Sequence, residues 1–134
     1  MSELILTPAS KNDKKEDILR IHHHKGHVNG RVSIFKFIDK DTKQFVLFVP
    51  SLNISSYGEN HDKAFEMMKY SITGLFEYFV NLSHKDLEKE LRKMGWKKAI
   101  LKSKEFSKMA VNIDGNLENL NAFEDKVERF ALVA

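Results

Sequence analysis

The sequence predicts an α+β domain, in which a three-stranded antiparallel sheet carries one long helix packed across it, followed by an accessory helix and a β-rich C-terminal tail. Residues 31–57 are rich in β-branched and aromatic side chains and are interrupted by polar or proline-containing segments. The longest amphipathic helical pattern follows, between Ala64 and Val80. A chain of 134 residues, 42% of them hydrophobic, can bury one core.

Residues 1–27 are predicted to form an N-terminal arm ahead of a single domain at residues 28–134. The segment after Thr7-Pro8 is polar and has little to bury, so we expect the arm to be mobile or to dock late. Ile18, Leu19 and Ile21 fit one short strand or one helical turn. The N-terminus lacks the basic start and long apolar stretch of a signal peptide, and the chain has no cysteine. We therefore expect a cytoplasmic protein.

The predicted sheet consists of three consecutive strands. Arg31–Ile38 forms the first strand, and the continuously apolar run within Gln44–Val49 is typical of a strand buried on both faces. Pro50 ends this strand because proline has no N–H group for a central ladder. Leu52–Tyr57 is the third and shortest strand. It is closed by Gly58, where we expect a turn with positive φ.

Two helices are predicted after the sheet. Asn60 is a suitable N-cap for the first, which should end near Leu82, and Gly74 is its one weak position. Ser83 is predicted to cap the second helix, and Gly95 to end it. Trp96 is expected to fold back onto the helix or the sheet.

The C-terminal tail is predicted to be mainly β-structure. Phe106–Ile113 alternates loosely and indicates a strand, and Asp114-Gly115 is a strong hairpin signal. Val127–Val133 fits a final strand. Leu117, with the apolar residues up to Val127, also fits a helix, and this alternative stays open.

Two segments together resemble the HicB-like antitoxin family of type II toxin–antitoxin systems. In the first, a buried strand ends in a proline, and a glycine precedes a capped helix with an early alanine. In the second, a leucine-containing helix ends in glycine and tryptophan. The residues that carry the resemblance are Pro50, Leu52, Tyr57, Gly58, Asn60, Ala64, Leu87, Leu91, Gly95 and Trp96. Ser51 and Lys63 depart from the family pattern, which often has acids at these positions.

The resemblance implies a partial RNase H-like fold and a non-catalytic function. A HicB-like antitoxin binds a small RNase toxin and covers its active site, and such proteins self-associate. For this chain we expect a C2 dimer formed through a sheet edge or the tail. The family's C-terminal DNA-binding element has no clear counterpart after Trp96. The alternatives are a nucleic-acid-binding domain that uses residues 97–108, and an orphan member of the family with an unrelated binding role.

Candidate sites for chemistry are few, and we predict no cofactor, no metal site and no enzymatic activity. His22, His23, His24 and His27 suggest metal binding, but Gly26 and Gly30 disfavour a helix there, and a solvated loop is the simpler interpretation. A two-metal nuclease would need converging carboxylates. Asp39 and Asp41 lie in a predicted turn, whereas Glu66 and Glu77 lie on the long helix, so no convergence is expected.

A local excess of positive charge marks the best candidate for a polar binding surface. Residues 84–108 contain nine Lys or Arg and four Asp or Glu, while the whole chain has a net charge of +3. Lys97, Lys98, Lys102 and Lys104 are the candidate patch for phosphates or for an acidic protein. A solvated helix face is the simpler alternative. Met67, Met68, Tyr70 and Tyr78 are interpreted as core or interface residues, not as a cofactor site.

Overall fold

The computed structural model describes residues 5–8, 17–22, 25–99, 102–108 and 128–133. Within these ranges the chain forms eight strands, two α-helices and a short 3-10 helix at Pro50–Leu52. The strands are β1 Ile5–Pro8, β2 Asp17–His22, β3 His27–Ile38, β4 Phe45–Val49, β5 Ile54–Gly58, β6 Lys97–Ala99, β7 Lys102–Lys108 and β8 Glu128–Val133. The helices are α1 His61–Asn81 and α2 His84–Lys93.

The prediction of a three-stranded sheet with one long helix is wrong, because the described strands form a single antiparallel sheet of eight. Six of them follow one path in the order β1-β8-β3-β2-β7-β6, while β4 pairs with β3, and β5 with β4. The sequence pattern did not reveal this sheet because a hydrophobic period shows that a strand exists but not which distant strand it pairs with.

The long strand β3 joins the two parts of the sheet. Arg31 pairs with Ile18 of β2 and with Val133 of β8, so β2 and β8 lie on opposite sides of β3. Phe35 pairs with both Phe48 of β4 and a residue of β8. Consequently β2 and β4 follow one another along the same edge of β3, and β8 occupies the other edge.

Helix α1 packs on one face of this sheet, over β5, β4 and β3. Its buried residues join the inward-facing residues of the strands in one core cluster. The hydroxyl of Ser56 in β5 donates a 2.8 Å hydrogen bond to the carbonyl oxygen of Ala64 in α1. The main members of the core are Leu19, Ile21, Val28, Val32, Ile34, Leu47, Val49, Leu52, Ala64, Met68, Ile72, Phe76, Phe79, Leu87, Leu91, Trp96 and Phe106.

Gly58 allows this close packing, although not for the predicted reason. Its φ is not among the positive values. Instead, a Cβ at Gly58 would lie 2.7 Å from the backbone nitrogen of Ala64 and 2.8 Å from Cβ of Lys63. The end of β5 therefore approaches the first turn of α1 more closely than any side chain would permit.

The predicted helix boundaries are confirmed. Oδ1 of Asn60 accepts the backbone N–H of Lys63 at 2.9 Å, and Oγ of Ser83 accepts that of Asp86 at 3.1 Å. Each cap satisfies one of the backbone donors that lack a partner in the first helical turn.

The end of α2 is also as predicted. Gly95 has a φ of +96°. The N–H of Gly95 donates to the carbonyl of Arg92 at 3.0 Å, and the N–H of Trp96 donates to that of Leu91 at 2.9 Å. These two bonds form a Schellman motif, which turns Trp96 back onto Leu91 in the core. The indole Nε1–H donates to the carbonyl of Ser51 at 3.1 Å.

The third strand starts two residues later than predicted. Pro50–Leu52 forms the 3-10 helix, and Asn53 follows it with a left-handed φ of +51°, so β5 begins at Ile54. The sequence pattern did not distinguish this turn from extended chain because Leu52 is buried in either conformation.

Parts of the predicted arm and tail are strands of the sheet. β1 and β2 lie within residues 1–27, and β8 covers most of the predicted final strand. The strand predicted at Phe106–Ile113 overlaps β7 at residues 106–108; β7 begins four residues earlier, and the rest of the predicted strand lies outside the described residues. Asp114-Gly115 and the alternative helix from Leu117 lie outside the described residues.

Candidate binding surfaces

The carboxylates considered for metal chemistry do not converge in the described part of the chain. Asp39 is used locally, since its Oδ2 accepts the backbone N–H groups of Asp41 and Thr42 at 3.1 and 2.9 Å. Glu66 and Glu77 are both exposed and lie about three turns apart on α1. Among the described residues, no group of three or more His, Asp or Glu side chains could hold a metal ion.

The histidine cluster is not simply a solvated loop. His22 and His27 are paired across the β2–β3 hairpin, with ring centroids 4.6 Å apart and planes inclined by 24°. Burial lowers the pKa of His22 below the usual value of a histidine, and the nearby charge of His27 lowers it further. His23 and His24 lie outside the described residues.

The structure separates Lys97 from Lys98, two of the four predicted lysines. Lys97 and Lys98 are consecutive in β6 and therefore point to opposite faces of the sheet. Nζ of Lys98 forms an ion pair with Glu88 on α2, which lowers the pKa of that carboxyl group. The exposed Lys104 shares a face with Phe106, the residue opposite Lys98. The side chain of Lys102 lies outside the description.

A different basic surface lies on the sheet face that carries Lys97. The backbone register places Lys97 opposite Ser107, Ser107 opposite Ile18, and Ile18 opposite Arg31. Arg20 is two residues from Ile18 and projects from the same face, at the register position opposite Glu105 of β7. Lys97, Arg20 and Arg31 are all exposed.

A shallow cavity of about 240 Å³ lies between the two arginines of this surface, lined by Ile18, Arg20, Asn29, Gly30 and Arg31. Sequence reasoning missed Arg20 and Arg31. The signal that would have found them is their alternation with the buried Leu19, Ile21 and Val32.

Nine of the ten residues that carry the family resemblance have structural roles. Pro50 opens the 3-10 helix, Asn60 caps α1, and the two glycines allow a close approach and a left-handed turn. The remaining five are core residues, namely Leu52, Ala64, Leu87, Leu91 and Trp96.

Tyr57 is the exception, because 56% of its surface is exposed. It lies on β5, which in the described part of the chain pairs only with β4 and is therefore an edge strand. Its cross-strand neighbour is the half-buried Val46, and Phe48 stands two residues further along β4 on the same face. This face is turned away from α1, so Tyr57 extends an apolar surface next to an open strand edge.

Acidic side chains follow Tyr57 at the start of α1. Glu59, Asp62 and Glu66 are exposed, against the single basic residue Lys63, whose Nζ lies 3.2 Å from Glu59. The junction between β5 and α1 thus has a local excess of negative charge on a chain that is basic as a whole. This combination of an apolar edge with flanking acids suits a basic protein partner.

A second exposed surface lies on α1. Met68 is buried, whereas Met67, Tyr70 and Tyr78 expose 42%, 83% and 49% of their surfaces. These three residues project from the side of the helix opposite the core.

No protein-family model matches the chain, and no curated protein or solved structure is significantly similar to it. Neither described helix has the length and apolar character needed to cross a membrane.

Proposed function

We propose that the chain is an antitoxin-type binding protein that inhibits a small basic RNase by covering its active site. The observation that carries the proposal is the exposure of Tyr57 on edge strand β5. Every other residue of the family resemblance has a structural role in this chain, so Tyr57 is the one member of that set left for recognition.

The partner would bind along the outer edge of β5 and the apolar surface beside it. An edge strand offers unpaired backbone N–H and C=O groups to an extended segment of another chain. Tyr57 would be the anchor, because tyrosine is one of the residue types that dominate binding energy at protein interfaces. Glu59, Asp62 and Glu66 would attract the basic surface of the RNase and accelerate the encounter.

Inhibition by this route needs no catalytic group on the chain. A protein interface of ordinary size, about 800 Å² on each partner, is enough to exclude RNA from a small active site. The resemblance to HicB-like antitoxins supports this class of function, and the local structure at Asn60, Gly58 and Gly95 agrees with the motifs on which that resemblance rests.

The test is inhibition of RNA cleavage by the product of the adjacent reading frame. We expect that product to be a small basic RNase and the chain to inhibit it in proportion to its concentration. Tyr57→Ala should weaken inhibition by about 30-fold or more, as expected for an anchor residue worth about 2 kcal/mol. Tyr70→Ala, at another exposed tyrosine, is the matched control and should leave inhibition unchanged. No inhibition by the native chain, or equal effects of the two substitutions, would contradict the proposal.

Nucleic-acid binding is a second candidate function, favoured by the common face of Arg20, Arg31 and Lys97. Such a face would contact phosphates and release counterions, so its affinity would fall steeply with salt. We expect Arg20→Gln with Arg31→Gln to reduce binding of a labelled single-stranded RNA and to flatten its salt dependence. Lys85→Gln with Lys89→Gln, on exposed positions of α2, is the control. Equal loss in both pairs would indicate a merely non-specific effect of net charge.

A further inference from the structure

The open edge of β5 lies beside exposed apolar side chains on both faces of the sheet. Ser56 points towards α1, where its hydroxyl donates to the carbonyl of Ala64, so the next residue, Tyr57, points to the opposite face. Tyr57 exposes 56% of its surface there. On the α1 side, Met67 exposes 42% of its surface, whereas its neighbour Met68 is fully buried. The packing of α1 on β5 places Met67 beside the edge.

The contacts of Gly58 and Ser56 show which side of α1 lies on β5. A Cβ at Gly58 would lie 2.7 Å from the backbone nitrogen of Ala64 and 2.8 Å from Cβ of Lys63. The end of the strand therefore contacts the helix between these two residues. Ser56, two residues earlier in β5, also contacts Ala64. Helix α1 thus runs back over β5 from its Gly58 end.

Met67 projects from this same side of α1, about one turn further along the helix. Since successive residues are rotated by about 100°, Met67 lies between Lys63 and Ala64 around the helix, about 60° from Ala64. The buried residues of α1 continue from Ala64 in the other direction, through Met68. Met67 is therefore at the margin of the helix above the edge of β5, which in the described part of the chain pairs with β4 alone.

A strand added to β5 would be contacted on both of its faces. It would lie about 4.8 Å from β5, with successive side chains pointing to opposite faces. Alternate side chains would thus pack against Met67 on the α1 side and against Tyr57 on the other side. Apolar side chains would bury both exposed surfaces, whereas a polar side chain beside Met67 would lose its water without gaining a hydrogen bond. The added strand should therefore be apolar on both faces.

The charged side chains at this edge follow Gly58. Glu59 and Asp62 are negative, and Lys63, whose Nζ lies 3.2 Å from Glu59, is positive, so this group has a net negative charge. The five residues of β5 contain no charge. A complementary segment is consequently uncharged along β5 and basic beyond its Gly58 end.

We propose that β5 accepts an extended segment of about five residues that is apolar on both faces and has basic residues at the Gly58 end. Backbone hydrogen bonds to β5 hold the segment, and Met67 and Tyr57 contact its two faces. The inference rests on the proposed inhibitory function, for which it specifies the part of the RNase that is bound. That part is a chain terminus or an edge strand whose successive side chains are apolar.

Two fluorescently labelled peptides test this specificity with the full native chain. Both have two lysines at each end; between them, one has five alternating valine and isoleucine residues, and the other has serine in place of each isoleucine. Fluorescence anisotropy should show about 10-fold tighter binding of the first peptide, because only this peptide is apolar on both faces. Met67→Lys should abolish the difference. Tyr70→Lys is the matched control, since it adds the same charge on the side of α1 opposite the buried residues, and it should preserve the difference.

Hydrogen exchange locates the bound peptide. Amide protons of β5 should gain protection, while those of β6, which ends the sheet in the described part of the chain, should not. No binding of either peptide, equal affinity for both, or equal effects of Met67→Lys and Tyr70→Lys would overturn the proposal. RNase inhibition that depends on Tyr57 but not on Met67 would remove this specificity and leave the proposed function standing. The peptide preference without RNase inhibition would support the strand site and remove the proposed function.

Discussion

Asp17 and Ser33 close the gap that the branching of the sheet leaves along β3. Oδ1 of Asp17 accepts both the backbone N–H and the hydroxyl of Ser33, each at 3.0 Å. Both residues are buried. Along one edge of β3, pairing with β2 stops at Arg31 and pairing with β4 starts at Phe35, so Ser33 lies between the two and pairs with neither of these described strands. The carboxylate of Asp17 therefore accepts the N–H group that the backbone of a neighbouring strand would otherwise accept.

Removal of this acceptor should destabilise the chain substantially. We expect Asp17→Ala to lower the free energy of unfolding by about 1–3 kcal/mol, because the buried N–H and hydroxyl of Ser33 both lose this acceptor. Ser33→Ala removes only the hydroxyl and should cost about 1 kcal/mol. Urea unfolding followed by circular dichroism measures both. An Asp17→Ala effect no larger than that of Ser33→Ala would contradict this role.

Two glycines should respond in opposite directions to the same substitution. Gly58→Ala forces a Cβ against the backbone of Ala64 and should cost about 1–3 kcal/mol. Gly74→Ala meets no atom within 4 Å and should stabilise the folded monomer by up to about 1 kcal/mol. Thermal unfolding compares the two variants with the native chain. Destabilisation by Gly74→Ala would show that a contact within the chain had been overlooked.

The single tryptophan should connect α2 to the 3-10 helix energetically. Trp96→Phe keeps an aromatic ring in the core but leaves the carbonyl of Ser51 without its indole donor. We expect a loss of about 1–3 kcal/mol in urea unfolding. In the native chain, tryptophan emission should be blue-shifted, because only 1% of the side-chain surface is exposed. Emission typical of free indole in water would contradict the burial of Trp96.

The stability of the β2–β3 hairpin should depend on pH through His22. Its folded-state pKa lies below the unfolded value, so between the two values the unfolded chain binds more protons. Stability should therefore fall as the pH decreases from about 6.5 towards the folded pKa, and then stay constant with respect to this group.

Titration of the histidine ring signals by NMR measures this pKa directly. His27→Gln removes one of the charges that lower the pKa of His22, so the pKa should rise. His22→Gln should flatten the pH dependence of urea unfolding in this window. A His22 pKa at or above the value of a free histidine would contradict the burial of its ring at the hairpin.

Features determined by nearby residues could be predicted from the sequence. The caps at Asn60 and Ser83 and the Schellman turn at Gly95 depend on residues within one helical turn, and the structure confirms all three. The extent of the sheet depends on pairing between distant segments, such as Arg31 with Val133. No local pattern encodes that pairing, so the sheet was predicted to have three strands where the described residues form eight.

The binding surfaces could be predicted only in part from the sequence, for the same reason. Lys97 and Lys98 are adjacent in sequence, but strand geometry separates them onto opposite faces. Arg20 and Arg31 are far apart in sequence, yet the hairpin brings them onto one surface. The sequence placed Met67, Tyr70 and Tyr78 on one helix, whereas the exposure of these three side chains required the structure.

The central claim is that the chain binds its partner at the edge of β5, with Tyr57 as the anchor. The most direct measurement is the mass, by light scattering, of the complex that the adjacent-frame RNase forms with the native chain and with Tyr57→Ala. We expect the native chain, of 15.6 kDa, to form a stable complex, and Tyr57→Ala to form it only at about 30-fold higher concentration or more. The absence of any complex with the native chain, or an equally stable complex with Tyr57→Ala, would contradict the claim.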